Sequence, residues 1–173
     1  MALVVFLLLA GWAADAPTLR AQSAFAERLQ GLYHHPEWLI EPEALHARLS
    51  AGQDVLLLDT RSPDEYRLSH LPGAVRVDWE AWRPAAIDSL SRERVVVAYC
   101  TVGWRSEQVT ERLRAAGFDR SYNLYGSIIA WSNRGYPLHN ARGHATEKVH
   151  TYSRSWARYL EQGEAVYEWW KLW

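Results

Sequence analysis

Two short runs of unbroken apolar residues mark the chain, Val55-Leu56-Leu57-Leu58 and Val95-Val96-Val97-Ala98. Runs of this length without polar alternation fit strands covered on both faces, as in a parallel sheet. Each gives way to polar residues and then to a helical pattern, so strand-helix units around one sheet are predicted. After the second run, Val109, Leu113 and Ala116 mark the inner face of a helix that ends at Gly117, with Arg112 and Arg114 near its negative end. Upstream, Trp38-Leu39-Ile40 predicts a short strand, and Pro42 opens a helix carrying Leu45 and Leu49 on one face before Gly52 stops it. Downstream, residues 122–124 predict another strand, and Ile128, Ile129 and Trp131 lie on a helix stopped by Gly135 and Pro137. The fold class is therefore α/β, a central parallel sheet flanked by helices.

The flanks differ from this compact centre. Residues 2–10 are apolar and are followed by small residues, which predicts a signal peptide over residues 1–16 and export to the periplasm. No Lys or Arg precedes the run, so a short uncleaved anchor is the alternative. Phe25, Leu29 and Leu32 recur at helical spacing, predicting a leading amphipathic helix within residues 17–37 that packs on the domain. Beyond Leu138 a polar link leads into an extension, residues 139–173, rich in Trp and Tyr. Tyr152, Trp156, Tyr159, Val166, Tyr167 and Trp170 approximate one helical stripe, interrupted at Gly163. A helical extension folded back over the domain is expected, with a protein or membrane-surface contact as the other use of such a stripe.

Composition narrows the function. A chain of 173 residues with 49% hydrophobic content suits one ordinary domain with a sizeable core. The net charge of -1 and the lack of any Lys/Arg-rich run give no footprint for nucleic acid, so small molecules or proteins are the expected partners. A single cysteine excludes an internal disulfide and leaves all thiol chemistry to Cys100.

That residue ends a predicted strand, and Thr101, Val102, Gly103, Trp104 and Arg105 lead straight into a helix. Successive N–H groups in such a loop can turn inward as a nest, and the helix N-terminus adds partial positive charge, so an anion or thiolate is favoured there. Arg105 adds a full charge. A lowered thiol pKa follows in principle, and the thiolate is the reactive form. Gly103 permits the curled backbone.

The run Tyr99-Cys100-Thr101-Val102-Gly103-Trp104-Arg105-Ser106 resembles the active loop of rhodanese domains, sulfurtransferases that act on thiosulfate and related donors. Asp59-Thr60-Arg61, Glu65-Tyr66 and His70-Leu71-Pro72-Gly73-Ala74 look like the first half of the same domain. Asn123-Leu124-Tyr125-Gly126-Ser127 with Trp131 looks like its end, so the resemblance covers residues 38–138. It implies a single-domain thiosulfate sulfurtransferase with Cys100 as nucleophile, the amides of Thr101, Val102, Gly103, Trp104, Arg105 and Ser106 as an anion cradle, and Arg105 binding the anionic donor. Asp59, Arg61 and Glu65 would brace the loop, and Arg61 could pair with Glu65 if the intervening residues turn helically. Phosphatases that share this fold have five residues between Cys and Arg where this chain has four, and a smaller ring of donors fits a terminal sulfur better than three phosphate oxygens. The acceptor is expected to be a thiol, or cyanide in an assay. The other reading is a non-catalytic sulfur-carrier, redox-sensing or protein-binding module.

Seven histidines are present, among them the pair His34-His35 and the spaced His139, His144 and His150. Lacking clustered carboxylates or cysteine at ligand spacing, they read as surface or capping residues, and neither a metal nor a cofactor is expected.

Overall fold

The computed structural model describes residues 16–168. The predicted signal segment, save Ala16, and Trp170 of the aromatic stripe lie outside the described residues. The elements run α1 (Ala16–Gln30), β1 (Leu39–Ile40), α2 (Pro42–Ser50), β2 (Val55–Asp59), α3 (Pro63–Leu68), β3 (Val75–Arg76), β4 (Val95–Tyr99), α4 (Trp104–Ala115), β5 (Ser121–Leu124), α5 (Ser127–Asn133), β6 (Lys148–His150), α6 (Arg154–Ala157) and β7 (Glu164–Val166).

The first five strands form one sheet in the order β1-β5-β4-β2-β3, and every neighbouring pair is parallel. The apolar runs are its centre. In β4 all five residues are buried. Val95, Val97 and Tyr99 face a cluster with Leu45, Ile128 and Trp131, whereas Val96 and Ala98 face Val109, Leu113 and Phe118. Both faces of the strand are thus covered, which is why its sequence shows no alternation. Each fully buried Val or Leu contributes about 1.5–3 kcal/mol relative to an exposed one.

Chain order explains where chemistry can sit. From β2 the chain continues outward to β3, whereas from β4 it continues the opposite way to β5. The loops after β2 and β4 therefore diverge next to each other, at the paired ends Asp59 and Tyr99. A crevice at the carboxyl ends of strands follows from such a switch.

The flanks close over this end. Phe25 and Leu29 of α1 are buried with Val102, Ile129 and Ala130, and Trp156 and Tyr159 of the extension pack against the same cluster. Among the described residues the extension carries a helix only over Arg154–Ala157, and Val166 of the predicted stripe lies on strand β7 beside β6. Gly163 is the reason. Its φ is +101°, and a Cβ there would lie 2.6 Å from the Glu147 carbonyl oxygen, so the chain bends into β7 at a close backbone approach that only glycine fits.

Candidate active site

Strand β4 delivers Cys100 to the carboxyl edge of the sheet, where its backbone is tied to α5. The Cys100 N–H donates to Ser127 Oγ at 3.1 Å, and the Ile128 N–H donates to the Cys100 carbonyl at 3.3 Å. The following residues curl around the sulfur: Gly103, at φ +107°, turns its N–H to Cys100 Sγ at 3.1 Å and opens α4. Burial pushes the thiol pKa up. The charge of Arg105 and the N–H groups of Ser106, Gly103 and Val102 outweigh it, so the thiol lies below its ordinary value.

Glu65 organises the surroundings. It is the third residue of α3, and a reciprocal cap holds it: Ser62 N–H donates to its Oε2 at 2.9 Å while its own N–H donates to Ser62 Oγ. The same carboxylate receives both terminal nitrogens of Arg105, at 3.0 and 2.9 Å, and the Thr101 hydroxyl at 3.3 Å. His150 Nδ1 lies 3.5 Å from Oε1. Burial pushes this carboxyl up, but hydrogen bonding to His150 and Arg105 and the charges of Arg105 and Arg61 pull it well below the usual carboxylate range.

Arg61 does not pair with Glu65 as the four-residue spacing predicted. Ser62 is the extended cap of α3, so Arg61 precedes the helix and lacks helical geometry toward Glu65. Its guanidinium instead folds back on Asp59 at 2.7 Å and donates to the Ser69 carbonyl at 2.5 Å, all of it buried. Asp59 and Arg61 thus tie the end of β2 to the segment after α3 and do not line the cysteine pocket. Ser106, also assigned to the cradle, donates its hydroxyl to Asn123 Oδ1 at 2.7 Å, and Asn123 Nδ2 donates to the Gly103 carbonyl at 3.0 Å.

Several residues join the site to which the sequence assigned no part in it. Tyr33 donates its hydroxyl to the Val102 carbonyl at 2.7 Å and accepts from the Gly126 N–H at 2.9 Å. Its ring occupies the space that a Cβ on Gly103 would need, at 2.5 Å. The N–H groups of His34 and His35 both donate to Oε1 of buried Glu107, at 2.7 and 2.9 Å. The surface reading of the histidines fails at His150, which is fully buried beside Glu65, and at His70, buried with its ring stacked on Tyr66. The polar composition around His150 hides it, because its burial comes from a strand pairing of only three residues.

Above the sulfur lies a cavity of 380 Å³, floored by Cys100, Thr101 and Arg105 and walled by Leu32, Trp79, Val102, Trp104, Tyr152 and Trp156. Cys100 itself is 1% exposed and lines this opening. Among the described residues no group of His, Cys, Asp or Glu could hold a metal ion.

A curled loop after a central parallel strand, wrapped around one depressed thiol with a carboxylate-held arginine beside it, defines a cysteine-centred α/β domain. The chain belongs to the rhodanese-like domain family, whose model matches residues 41–134. A sulfurtransferase of Allochromatium vinosum is 37% identical over 99 residues, covering 57% of this chain and 92% of that protein. A tRNA uridine(34) hydroxylase of Chlamydia muridarum is 36% identical over a stretch that is 53% of this chain and only 30% of that protein. The solved thiosulfate sulfurtransferase of Pseudomonas aeruginosa superposes with a TM-score of 0.55 at 25% identity, covering 73% of this chain and 23% of that one. These likenesses place the chain in a sulfur-transfer superfamily. They also weaken the exclusion of nucleic acid drawn from net charge, because the matching stretch recurs in a tRNA uridine(34) hydroxylase. Leu32, Tyr33, Tyr152 and Trp156 all fall outside the residues that the family model matches.

Proposed function

We propose that this protein is a sulfurtransferase that carries a sulfane sulfur on Cys100 as a persulfide, taken from thiosulfate or a related donor and passed to a nucleophilic acceptor. The observation that carries this reading is the depressed, buried thiol with the Gly103 N–H at 3.1 Å and a cavity opening onto it. The thiolate attacks the outer sulfur of the donor, an S–S bond forms, and the bond inside the donor breaks with its electron pair leaving on the departing group. The loop amides and the charge of Arg105 stabilise the anion on the terminal sulfur. A thiol or cyanide then removes that sulfur and restores the thiolate.

Because the chain holds one cysteine, no internal thiol can discharge the persulfide. Donor without acceptor should therefore add one sulfur atom to the intact mass, and cyanide or a thiol should remove it. Cys100→Ser should show neither. A wild-type protein that never gains sulfur under donor excess ends this reading. The proposal extends to export, on the apolar run of residues 2–10, and sequencing the N-terminus of the protein recovered from the periplasm tests it.

A further inference from the structure

We infer that the sulfur donor is an organic molecule of low charge with an apolar body held in the aromatic mouth, in preference to a small dianion such as thiosulfate. This rests on the sulfur-transfer reading and narrows it.

The charges at the floor carry the first half. Arg105 is the cation that faces the pocket, but both of its terminal nitrogens donate to Glu65, one also donates to Thr101 Oγ1 at 3.2 Å, and the ring of Tyr152 lies 5.7 Å from the guanidinium carbon. Arg61 is likewise matched by Asp59. Two cations therefore stand against three anions, Asp59, Glu65 and the Cys100 thiolate. The loop N–H groups serve the sulfur end of every donor alike, so the second charge of a dianion gains little from such a floor, and its approach also meets the thiolate.

The walls carry the second half. Leu32 comes from the leading segment, Tyr152 and Trp156 from the extension, and Trp79 from the loop after β3, its ring edge-on to Trp104 at 5.6 Å. Trp104 and Tyr152 remain 47% and 58% exposed, so both keep open ring surface that a bound body can cover. Tyr152 is held there in a left-handed backbone conformation, φ +64°, rare for a tyrosine and typical of positions fixed by function. At the roughly 30 Å³ a water molecule takes in the liquid, 380 Å³ holds about a dozen non-hydrogen atoms, more than twice the five of thiosulfate.

For an organic thiosulfonate the step balances without an added oxidant. Cys100 Sγ bonds the terminal sulfur as the bond from that sulfur to the sulfonyl group breaks, and the electron pair leaves on the sulfinate. An organic persulfide reacts alike, releasing its thiolate.

Three donors separate ring from charge: thiosulfate, methanethiosulfonate and benzenethiosulfonate, each followed by the rate at which Cys100 gains sulfur in the intact mass. In the wild type, both thiosulfonates should load faster than thiosulfate. Because the two thiosulfonates differ in intrinsic reactivity, the decisive quantity is their rate ratio in the wild type against Trp79→Ala and Trp156→Ala. That ratio should fall about fivefold in each variant, the scale of losing one aromatic contact. If Trp156→Ala does not fold, Trp79→Ala and Tyr152→Ala carry the comparison. Fastest loading from thiosulfate, or an unchanged ratio in every folded variant, overturns the inference and leaves sulfur transfer standing. Failure of all three donors to load Cys100 removes the sulfur-transfer reading itself.

Discussion

At the scale of single residues, the thiolate depends on where a few N–H groups point, and Tyr33 fixes one of them. Its hydroxyl holds the Val102 carbonyl, and the peptide that carries this carbonyl also carries the Gly103 N–H aimed at Sγ. Tyr33→Phe keeps the ring against Gly103 and removes only the anchor. The Cys100 thiol should then titrate at higher pH than in the wild type, read as a rise in the midpoint of pH-dependent alkylation, with sulfur loading at neutral pH reduced. An unchanged midpoint assigns Tyr33 to packing alone. Arg105 poses the complementary question of charge against shape. Its fork meets Glu65 with two parallel bonds, which a point-charge ammonium cannot reproduce. Arg105→Lys should therefore lose most of the loading rate despite its conserved charge. Equal rates in the two proteins would remove the fork from the mechanism.

At the scale of elements, the clamp between the leading segment and α4 centres on the buried carboxylate of Glu107. Glu107 accepts both the His34 and His35 N–H groups, and His35 also reaches Glu111 at 3.2 Å. Glu107→Ala leaves two donors without their acceptor and should cost about 1–3 kcal/mol. Urea unfolding reads that loss, and faster proteolysis between α1 and β1 would locate it. Glu107 also marks the limit of what the sequence discloses. The central strands, the helix after Cys100 and the loop itself were legible because unbroken apolar runs and a lone cysteine before a helix are local signals. Glu107 looks like an ordinary charge on an amphipathic helix, and its partners lie more than seventy residues away. Arg61 misled for a related reason: spacing counts residues, but the helix begins only at Pro63, so the count starts outside it. In the extension the aromatic spacing mimicked a helix, whereas a glycine turn and two three-residue strands, formed by pairing and not by local preference, decided its path.

At the scale of the whole molecule, Glu65 joins four parts of the chain: the start of α3, the active loop through Thr101, α4 through Arg105, and the extension through His150. A single protonation should therefore loosen the domain and its flank together. Its carboxyl is held well below the usual carboxylate range in the folded state, whereas in the unfolded chain it titrates near the ordinary value of about 4.3. The sign follows from linkage: the unfolded state takes up the proton first as pH falls, so stability declines with acid. The contribution is complete above the unfolded value, shrinks below it, and vanishes only once the folded carboxylate is itself protonated. Glu65→Gln removes the titration and weakens the bonds to Arg105 at every pH. In urea unfolding at pH 7, 5 and 3, the wild type should exceed this variant at pH 7 and pH 5 by a similar margin, and by a smaller one at pH 3. A margin that stays constant down to pH 3 would mean that Glu65 does not carry the acid sensitivity of the fold.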